Sequence, residues 1–194
     1  MTQQLAYIIL AAGKSQRASA PKGLIIYKGK PLLLYHLKAF SKIKGKKIFL
    51  VLGKHYREYL DFFPFLMTGH YQGLEIEIIC NHHYELGPFY SIQLALKESA
   101  LFKGVFISPI DCPPDCRHNV MSELSTHFTQ DDIHIPSCKS GEGHPILLGK
   151  KYYQEALKIA PQSPEGRLDY FIQNFRPKKI STQSLSIKNN FNFL

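Results

Sequence analysis

Short apolar runs alternate along the chain with longer segments in which apolar residues recur every three or four positions. The runs predict buried strands at 6–10, 48–52, 74–79, 104–110, 133–137 and 144–148. The periodic segments predict helices at 31–43, 55–63, 91–97, 118–128 and 150–159. This alternation predicts an α/β fold with three layers and a mostly parallel mixed sheet, whose ligands gather beyond the carboxyl ends of the strands.

Length and composition fit one domain over residues 1–194. The chain has 194 residues, and a hydrophobic content of 44% is enough for a sizeable core. Residues from 178 onward are polar and weakly periodic, so no element is predicted there. No apolar run has the length of a membrane span, and Met1–Gln4 lack the basic start of a secretory signal. We therefore expect a cytoplasmic protein without a membrane partner.

The net charge of +9 indicates an anionic partner. The basic residues are spread along the chain, and the one local cluster at 42–47 is typical of a helix end and turn. Because no nucleic-acid recognition motif accompanies it, we expect phosphorylated small molecules and no nucleic acid. Four cysteines are too few for a disulfide scaffold, and the spacing of Cys112 and Cys116 beside His118 is not that of a zinc site.

The segment after the first predicted strand carries the main chemical signal. Residues 10–22 read Leu-Ala-Ala-Gly-Lys-Ser-Gln-Arg-Ala-Ser-Ala-Pro-Lys. Small residues let the backbone approach ligand oxygens, and the cations neutralise phosphate charge, so a nucleoside triphosphate loop is predicted. Position 8 is Ile8 where a Walker loop needs glycine, and a single glycine does not make a dinucleotide fingerprint.

This loop resembles the signature Leu-Ala-Ala-Gly-x-Ser-x-Arg-Met-Gly-x-x-Lys of nucleotidyltransferases that activate a phosphorylated acceptor with a nucleoside triphosphate. The matching residues are Leu10, Ala11, Ala12, Gly13, Ser15, Arg17 and Lys22. Ala18 and Ser19 replace the usual Met-Gly. The resemblance implies a Rossmann-like nucleotidyltransferase fold in which the nucleotide is bound by Leu10, Ala11, Ala12, Gly13 and Ser15. It also implies that Arg17 and Lys22 stabilise the α-phosphoryl group and the leaving pyrophosphate.

Asp111 follows the predicted strand 104–110 and precedes Cys112-Pro113. If this strand neighbours the first one, the carboxylate and the phosphate loop face the same crevice. Many strand-end aspartates are only turn or N-cap residues. In the resembled family an Asp-x-Pro at this point holds the metal, and Mg²⁺ takes one or two carboxylates plus substrate oxygens. The resemblance therefore implies Asp111 as the Mg²⁺ ligand.

Two further motifs extend the resemblance, which covers residues 5 to about 150. Asn81, Gly87 and Ser91 match an Asn-x(n)-Gly-x-x-x-Ser stretch that lies against base and ribose; alternatively, they are ordinary loop and helix-surface residues. Gly143-His144-Pro145 matches a motif typical of molybdenum cofactor cytidylyltransferases, or is a turn entering a strand. His144 and Arg167 are the expected acceptor contacts, although a surface arginine is usually solvated.

The implied reaction joins a nucleotide from CTP to the molybdopterin cofactor with release of pyrophosphate, and the implied protein partner is a molybdoenzyme or its chaperone. The alternatives are a sugar- or polyol-phosphate nucleotidyltransferase, a GTP-dependent guanylyltransferase of the molybdenum cofactor, and a catalytically silent nucleotide-binding domain. The guanylyltransferase branch carries Leu-Ala-Gly-Gly in the first loop, whereas this chain has Leu-Ala-Ala-Gly at 10–13. Gly87-Pro88 is nevertheless similar to that branch.

The family's usual second metal ligand, which precedes a Thr-Pro-Glu-Asp segment, is absent from this chain. We expect that Asn189, Asn190 or Asn192 folds back towards Asp111, or that the metal is recruited only with the triphosphate.

Overall fold

A mixed sheet forms the middle layer of the protein. The computed structural model describes residues 5–13, 20–114, 118–188 and 191. The strands are β1 (Leu5–Ala11), β2 (Ile26–Tyr27), β3 (Lys30–Pro31), β4 (Lys47–Leu52), β5 (His70–Tyr71), β6 (Leu74–Cys80), β7 (Gly104–Pro109), β8 (Ile133–Cys138), β9 (Gly141–Glu142), β10 (Ile146–Gly149) and β11 (Lys178–Ser181).

Helices cover both faces of this sheet. They are α1 (Leu32–Phe40), α2 (Tyr56–Phe62), α3 (Phe65–Thr68), α4 (Pro88–Glu98), α5 (Val120–Ser125), α6 (Tyr153–Lys158) and α7 (Leu168–Gln173). Short 3₁₀ turns occur at Lys22–Leu24, Tyr84–Leu86, Lys150–Tyr152 and Leu185–Lys188. Within the described ranges, no helix is both long enough and apolar enough to span a membrane.

Strand β1 lies at the centre of the sheet. The strand order is β11-β8-β10-β7-β1-β4-β6-β5, and β9 pairs with β8 outside this path. β1 pairs in parallel with β4 and β7, and β10 runs antiparallel to both β7 and β8. The predicted α/β fold with a mostly parallel mixed sheet is therefore confirmed. β2 and β3 form a separate hairpin.

Two apolar cores explain why the central strands are buried on both faces, as parallel strands under helices usually are. On one face, Leu33, Leu37 and Phe40 of α1 pack against β1, β4 and β7. On the other face, the packing side chains come from α4, α6 and α7. The apolar positions that recur along α1 and α4 thus lie on the face that each helix buries.

Several boundaries differ from the sequence-based expectation. The helix predicted at 118–128 is observed only at Val120–Ser125, where the Asn119 side chain caps its first turn. The strand predicted at 144–148 begins at Ile146, after Pro145, whose nitrogen has no hydrogen for a ladder bond. β11 was not predicted, because an edge strand exposes its side chains and loses the apolar signal.

Candidate active site

Lys22 and Asp111 form an ion pair at the carboxyl ends of β1 and β7. The Lys22 Nζ atom lies 2.6 Å from Asp111 Oδ2, and the two side chains are 26% and 13% exposed. Because β1 and β7 pair in parallel, the loop after β1 and the turn after β7 meet at the same edge of the sheet. The structure therefore brings together two predicted site residues that lie 89 positions apart.

Small residues occupy the end of β1 and the two positions that follow it. Ala11 and Ala12 are buried, whereas Gly13 is exposed and a Cβ there would meet no atom within 4 Å. The Ile110 N–H donates to the Leu10 carbonyl at 3.0 Å, which extends the β1–β7 pairing to the edge of the site. Residues 14–19, which include Ser15, Arg17, Ala18 and Ser19, lie outside the described residues.

Tyr59 holds the backbone next to Lys22. Its hydroxyl accepts a hydrogen bond from the Gly23 N–H at 3.0 Å, and Tyr59 is 1% exposed within α2. A Cβ at Gly23 would lie 2.4 Å from this hydroxyl oxygen, so only glycine permits the contact. Burial raises the pKa of Tyr59, which keeps the hydroxyl neutral. Sequence reasoning gave Tyr59 no role, because a tyrosine at helical spacing is ordinarily a core residue.

A buried polar chain lies beneath Asp111. The Ile110 carbonyl can only accept, so His36 Nε2 carries the proton and donates to it at 3.0 Å. His36 Nδ1 then accepts from the Tyr7 hydroxyl at 2.5 Å. Burial lowers the pKa of His36 to about 4, which keeps the imidazole neutral at pH 7. Sequence analysis assigned no function to Tyr7 or His36. The feature that could have pointed to them is that each carries a polar atom at a position where the pattern is otherwise apolar.

We expect acid to destabilise the fold through His36. Its pKa is about 4 in the folded protein and 6.5 ordinarily, so the unfolded chain binds more protons between these pH values. Stability should therefore fall as pH drops from 6.5 towards 4, by on the order of 3 kcal/mol from this residue. Thermal unfolding at pH 7 and pH 4.5 measures the loss. His36→Gln should lose distinctly less; an equal loss in the variant would contradict the assignment.

Asn81 and Ser91 are buried against each other at the end of β6 and the start of α4. Asn81 Nδ2 donates to Ser91 Oγ at 2.9 Å, and Asn81 Oδ1 accepts from the His83 N–H at 2.8 Å. Gly87 precedes α4 with φ +92°, a left-handed conformation that favours glycine. These contacts fix the shape of the 81–91 loop. Their role against base and ribose stays a prediction. Ser91 is buried, so it is not the helix-surface residue that was the alternative interpretation.

A cavity of about 1080 Å³ opens at the carboxyl ends of β1 and β7, where Leu10 and Pro109 line it. Most of its wall is apolar and includes Phe89, Ile92, Ile146, Leu168 and Ile172. Charged side chains also line it, namely Glu142, Arg167, Asp169, Arg176 and Lys179. The cavity therefore joins an apolar surface to charged groups of both signs, of which Lys179 and Glu142 form an ion pair at 2.5 Å.

His144 and Arg167, the predicted acceptor contacts, both line this cavity. Burial lowers the pKa of His144, and its Nδ1 atom is buried without a hydrogen-bond partner in the described part of the chain. The Arg167 side chain is 64% exposed, and its guanidinium donates to both carboxylate oxygens of Asp169 at 3.1 and 2.8 Å. His144 is thus a buried acceptor and Arg167 a paired surface cation.

The end of the chain crosses the site. The Ile187 carbonyl accepts from the His144 N–H at 2.8 Å, and a Cβ at Gly143 would lie 1.9 Å from that oxygen. The Phe191 N–H donates to the Asp111 carbonyl at 2.8 Å, and the Phe191 ring packs on Tyr27 with 4.5 Å between centroids. Phe191 therefore lies at Asp111, whereas Asn189, Asn190 and Asn192, which were expected to fold back towards Asp111, lie outside the described residues.

The donor set at Asp111 fits a hard cation better than zinc. Among the described residues, no three His, Cys, Asp or Glu side chains converge on a metal position. Burial raises the pKa of Cys112 to about 12, so its sulfur stays a thiol, and Cys116 lies outside the described ranges. A single carboxylate suits Mg²⁺ that completes its shell with phosphate oxygens and water.

Comparisons with known proteins show the family of the chain and agree with its fold. The profile of the MobA-like NTP transferase domain matches residues 7–175. No curated protein sequence matches the chain significantly. The fold is similar to a nucleotidyl transferase from Methanothermobacter thermautotrophicus, with TM-score 0.75, 13% identity and coverage of 96% of this chain and 91% of that one.

Two other solved structures share the fold. Rv0371c from Mycobacterium tuberculosis gives TM-score 0.70 and 17% identity, over 94% of this chain and 88% of its own. The inositol-1-phosphate CTP transferase from T. maritima gives TM-score 0.63 and 18% identity, over 92% and 86%. At these identities the likeness shows the fold alone, whereas the family profile covers most of the sequence. The chain belongs to the MobA-like NTP transferase family, a family of nucleotidyltransferases.

Proposed function

We propose that this protein is a Mg²⁺-dependent nucleotidyltransferase that joins the nucleoside monophosphate of CTP to the phosphate of molybdopterin and releases pyrophosphate. The observation that carries the proposal is the Lys22–Asp111 pair, which lies at the carboxyl ends of β1 and β7, where the large cavity also opens. The nucleotidyltransferase activity follows from the family, whereas CTP as donor, molybdopterin as acceptor and Mg²⁺ as the metal are proposals.

In this reaction an acceptor phosphate oxygen forms a bond to the α-phosphorus of CTP. The bond from that phosphorus to the bridging oxygen breaks, and the electron pair leaves with pyrophosphate. The nucleophile is already an anion, so no general base is required, and catalysis depends on in-line positioning and charge neutralisation. Arg17 and Lys22 are the proposed cations for the α-phosphoryl group and the leaving pyrophosphate.

Asp111 is the residue that would hold Mg²⁺, and it would do so together with the triphosphate. When bound, Mg²⁺ supplies neutralisation of phosphate charge and a template for the triphosphate. Lys22 compensates the Asp111 carboxylate at 2.6 Å. Because its side chain is 26% exposed, Lys22 is able to exchange this partner for a phosphate oxygen of the nucleotide. The ion pair thus keeps the ammonium at the phosphate site.

The cavity supports a bulky acceptor. Its volume of about 1080 Å³ is at the upper end of ordinary ligand sites, which hold about 300–1,000 Å³. Its apolar wall suits a fused ring system, whereas a sugar phosphate presents hydroxyls that need hydrogen-bond partners. Arg176 is the lining cation proposed for a phosphate, whereas Lys179 is paired with Glu142 at 2.5 Å. These features favour molybdopterin over a sugar or polyol phosphate.

We expect CTP to bind more tightly than GTP, ATP or UTP. The reason is the double alanine at 11–12 together with Gly143-His144-Pro145, since hydrogen bonds to the base discriminate strongly where they exist. At about 100 times Kd, a nucleotide adds about 2.7 kcal/mol of stability, or roughly 5–10 °C in Tm for a chain of this size. Thermal unfolding with Mg²⁺ and each nucleotide measures this; greater stabilisation by GTP would overturn the donor assignment.

A further inference from the structure

Three buried polar side chains from three elements converge beneath the candidate active site. Tyr7 of β1, His36 of α1 and Ser108 of β7 are each 0% exposed. The Tyr7 hydroxyl donates to His36 Nδ1 at 2.5 Å, so Tyr7 and His36 form a buried hydrogen-bonded pair. The Ser108 hydroxyl donates to the backbone instead and is a separate polar contact inside the core.

These contacts end on the backbone at both sides of Asp111. His36 Nε2–H donates to the Ile110 carbonyl at 3.0 Å, and the Ser108 hydroxyl donates to the Cys112 carbonyl at 3.0 Å. The Cys112 N–H in turn donates to the Pro109 carbonyl at 3.0 Å. His36 thus holds the peptide group before Asp111 and the Pro109 carbonyl holds the one after it, and together they restrict the backbone that sets the direction of the Asp111 Cα–Cβ bond.

Apolar packing alone does not require this arrangement. Filling a core with apolar side chains needs no internal partners, and replacing a buried hydrogen-bonded pair by apolar groups is often neutral for stability. A carboxylate that must hold a metal together with a bound triphosphate, in contrast, has to be placed within about 0.5 Å of the productive geometry. The polar chain supplies that placement, since the carbonyls of Ile110 and Cys112 lie where the helix and sheet ladders do not bond them.

We propose that Tyr7 and His36 are positioning residues for Asp111, which they hold in the geometry of nucleotidyl transfer through the Ile110 carbonyl. This inference rests on the proposed function for the chemistry that Asp111 performs. It predicts that loss of the Tyr7–His36 pair slows the chemical step, whereas nucleotide binding by the loop after β1 is retained.

The test uses Tyr7→Phe, His36→Leu and His36→Gln in the full chain. Because a misplacement of about 1 Å costs about 10²-fold, we expect kcat to fall about tenfold in Tyr7→Phe and about 100-fold in His36→Leu, with KM for CTP within about twofold. The glutamine amide retains a donor for the Ile110 carbonyl, so His36→Gln should recover most of the kcat lost in His36→Leu.

Matched controls separate this role from a general effect on the core. Tyr153 and His134 are also buried, but the Tyr153 hydroxyl has no partner in the described part of the chain and the His134 ring bonds the Leu124 carbonyl at 2.7 Å. Tyr153→Phe and His134→Leu should keep wild-type kcat. Equal losses in these controls would overturn the proposal.

A second readout keeps the inference independent of turnover. Hydrogen–deuterium exchange of residues 109–113 should be faster in Tyr7→Phe and His36→Leu than in the wild type, and near wild type in His36→Gln. If His36→Leu does not fold, the Tyr7→Phe and His36→Gln results decide. Unchanged exchange at 109–113 in Tyr7→Phe overturns the positioning role. Absence of turnover in the wild type, with the expected exchange pattern, overturns the proposed function and leaves the positioning role supported.

Discussion

Asp111→Asn should lower turnover about 10³-fold and leave the fold intact. The amide keeps the size of the carboxylate but removes its charge, and loss of an electrostatic contact to the reacting phosphoryl group costs several kcal/mol of transition-state stabilisation. The side chain lies beyond β7 and opens no core cavity, and its ion pair with Lys22 is partly solvated, so stability should change by about 1 kcal/mol. Steady-state pyrophosphate release and thermal unfolding measure the two effects.

Asp132 offers a matched control for this substitution. It is also a buried aspartate paired with a lysine, with Lys178 Nζ 2.5 Å from its Oδ1, but it precedes β8 at the opposite edge of the sheet. Asp132→Asn should therefore change stability and leave turnover unaltered. Wild-type turnover in Asp111→Asn would remove Asp111 from the site. Unfolding of that variant would show that the carboxylate serves the fold instead.

Lys22→Ala should lower kcat about 10²-fold, because it removes one of the cations proposed for the leaving pyrophosphate. The effect belongs to the chemical step, so KM for CTP should change much less than kcat. Lys22→Arg retains the charge and should recover part of the activity, whereas Lys178→Ala removes an equivalent ion-paired lysine far from the site and should have no effect on kcat. A rise in KM alone, with kcat unchanged, would instead make Lys22 a ground-state binding residue.

The sequence predicted the sheet and the two charged residues for a physical reason. Parallel strands buried on both faces leave apolar runs, and the residues after such runs face one edge of the sheet. Lys22 and Asp111 follow two such runs. Their contact depends on β1 and β7 being neighbours, which only the strand order reveals.

The supporting residues were not predictable from the same signals. Tyr7, His36 and Tyr59 occupy positions that periodicity assigns to the core, and each is buried there. What separates them from ordinary core residues is the partner of one polar atom. His36 donates to the Ile110 carbonyl, Tyr59 accepts from the Gly23 N–H, and Tyr7 donates to His36. Such long-range pairing leaves no local pattern in the sequence. The edge strand β11 was missed for the related reason that its side chains face solvent.

The measurement that tests the central claim most directly is pyrophosphate release from CTP, GTP, ATP and UTP with Mg²⁺, with and without molybdopterin or candidate sugar phosphates. We expect release from CTP that requires molybdopterin and is lost in Asp111→Asn. Release that requires a sugar phosphate would contradict the proposed acceptor. Failure of the folded protein to release pyrophosphate with any pair of substrates would contradict the account and favour a catalytically silent nucleotide-binding domain.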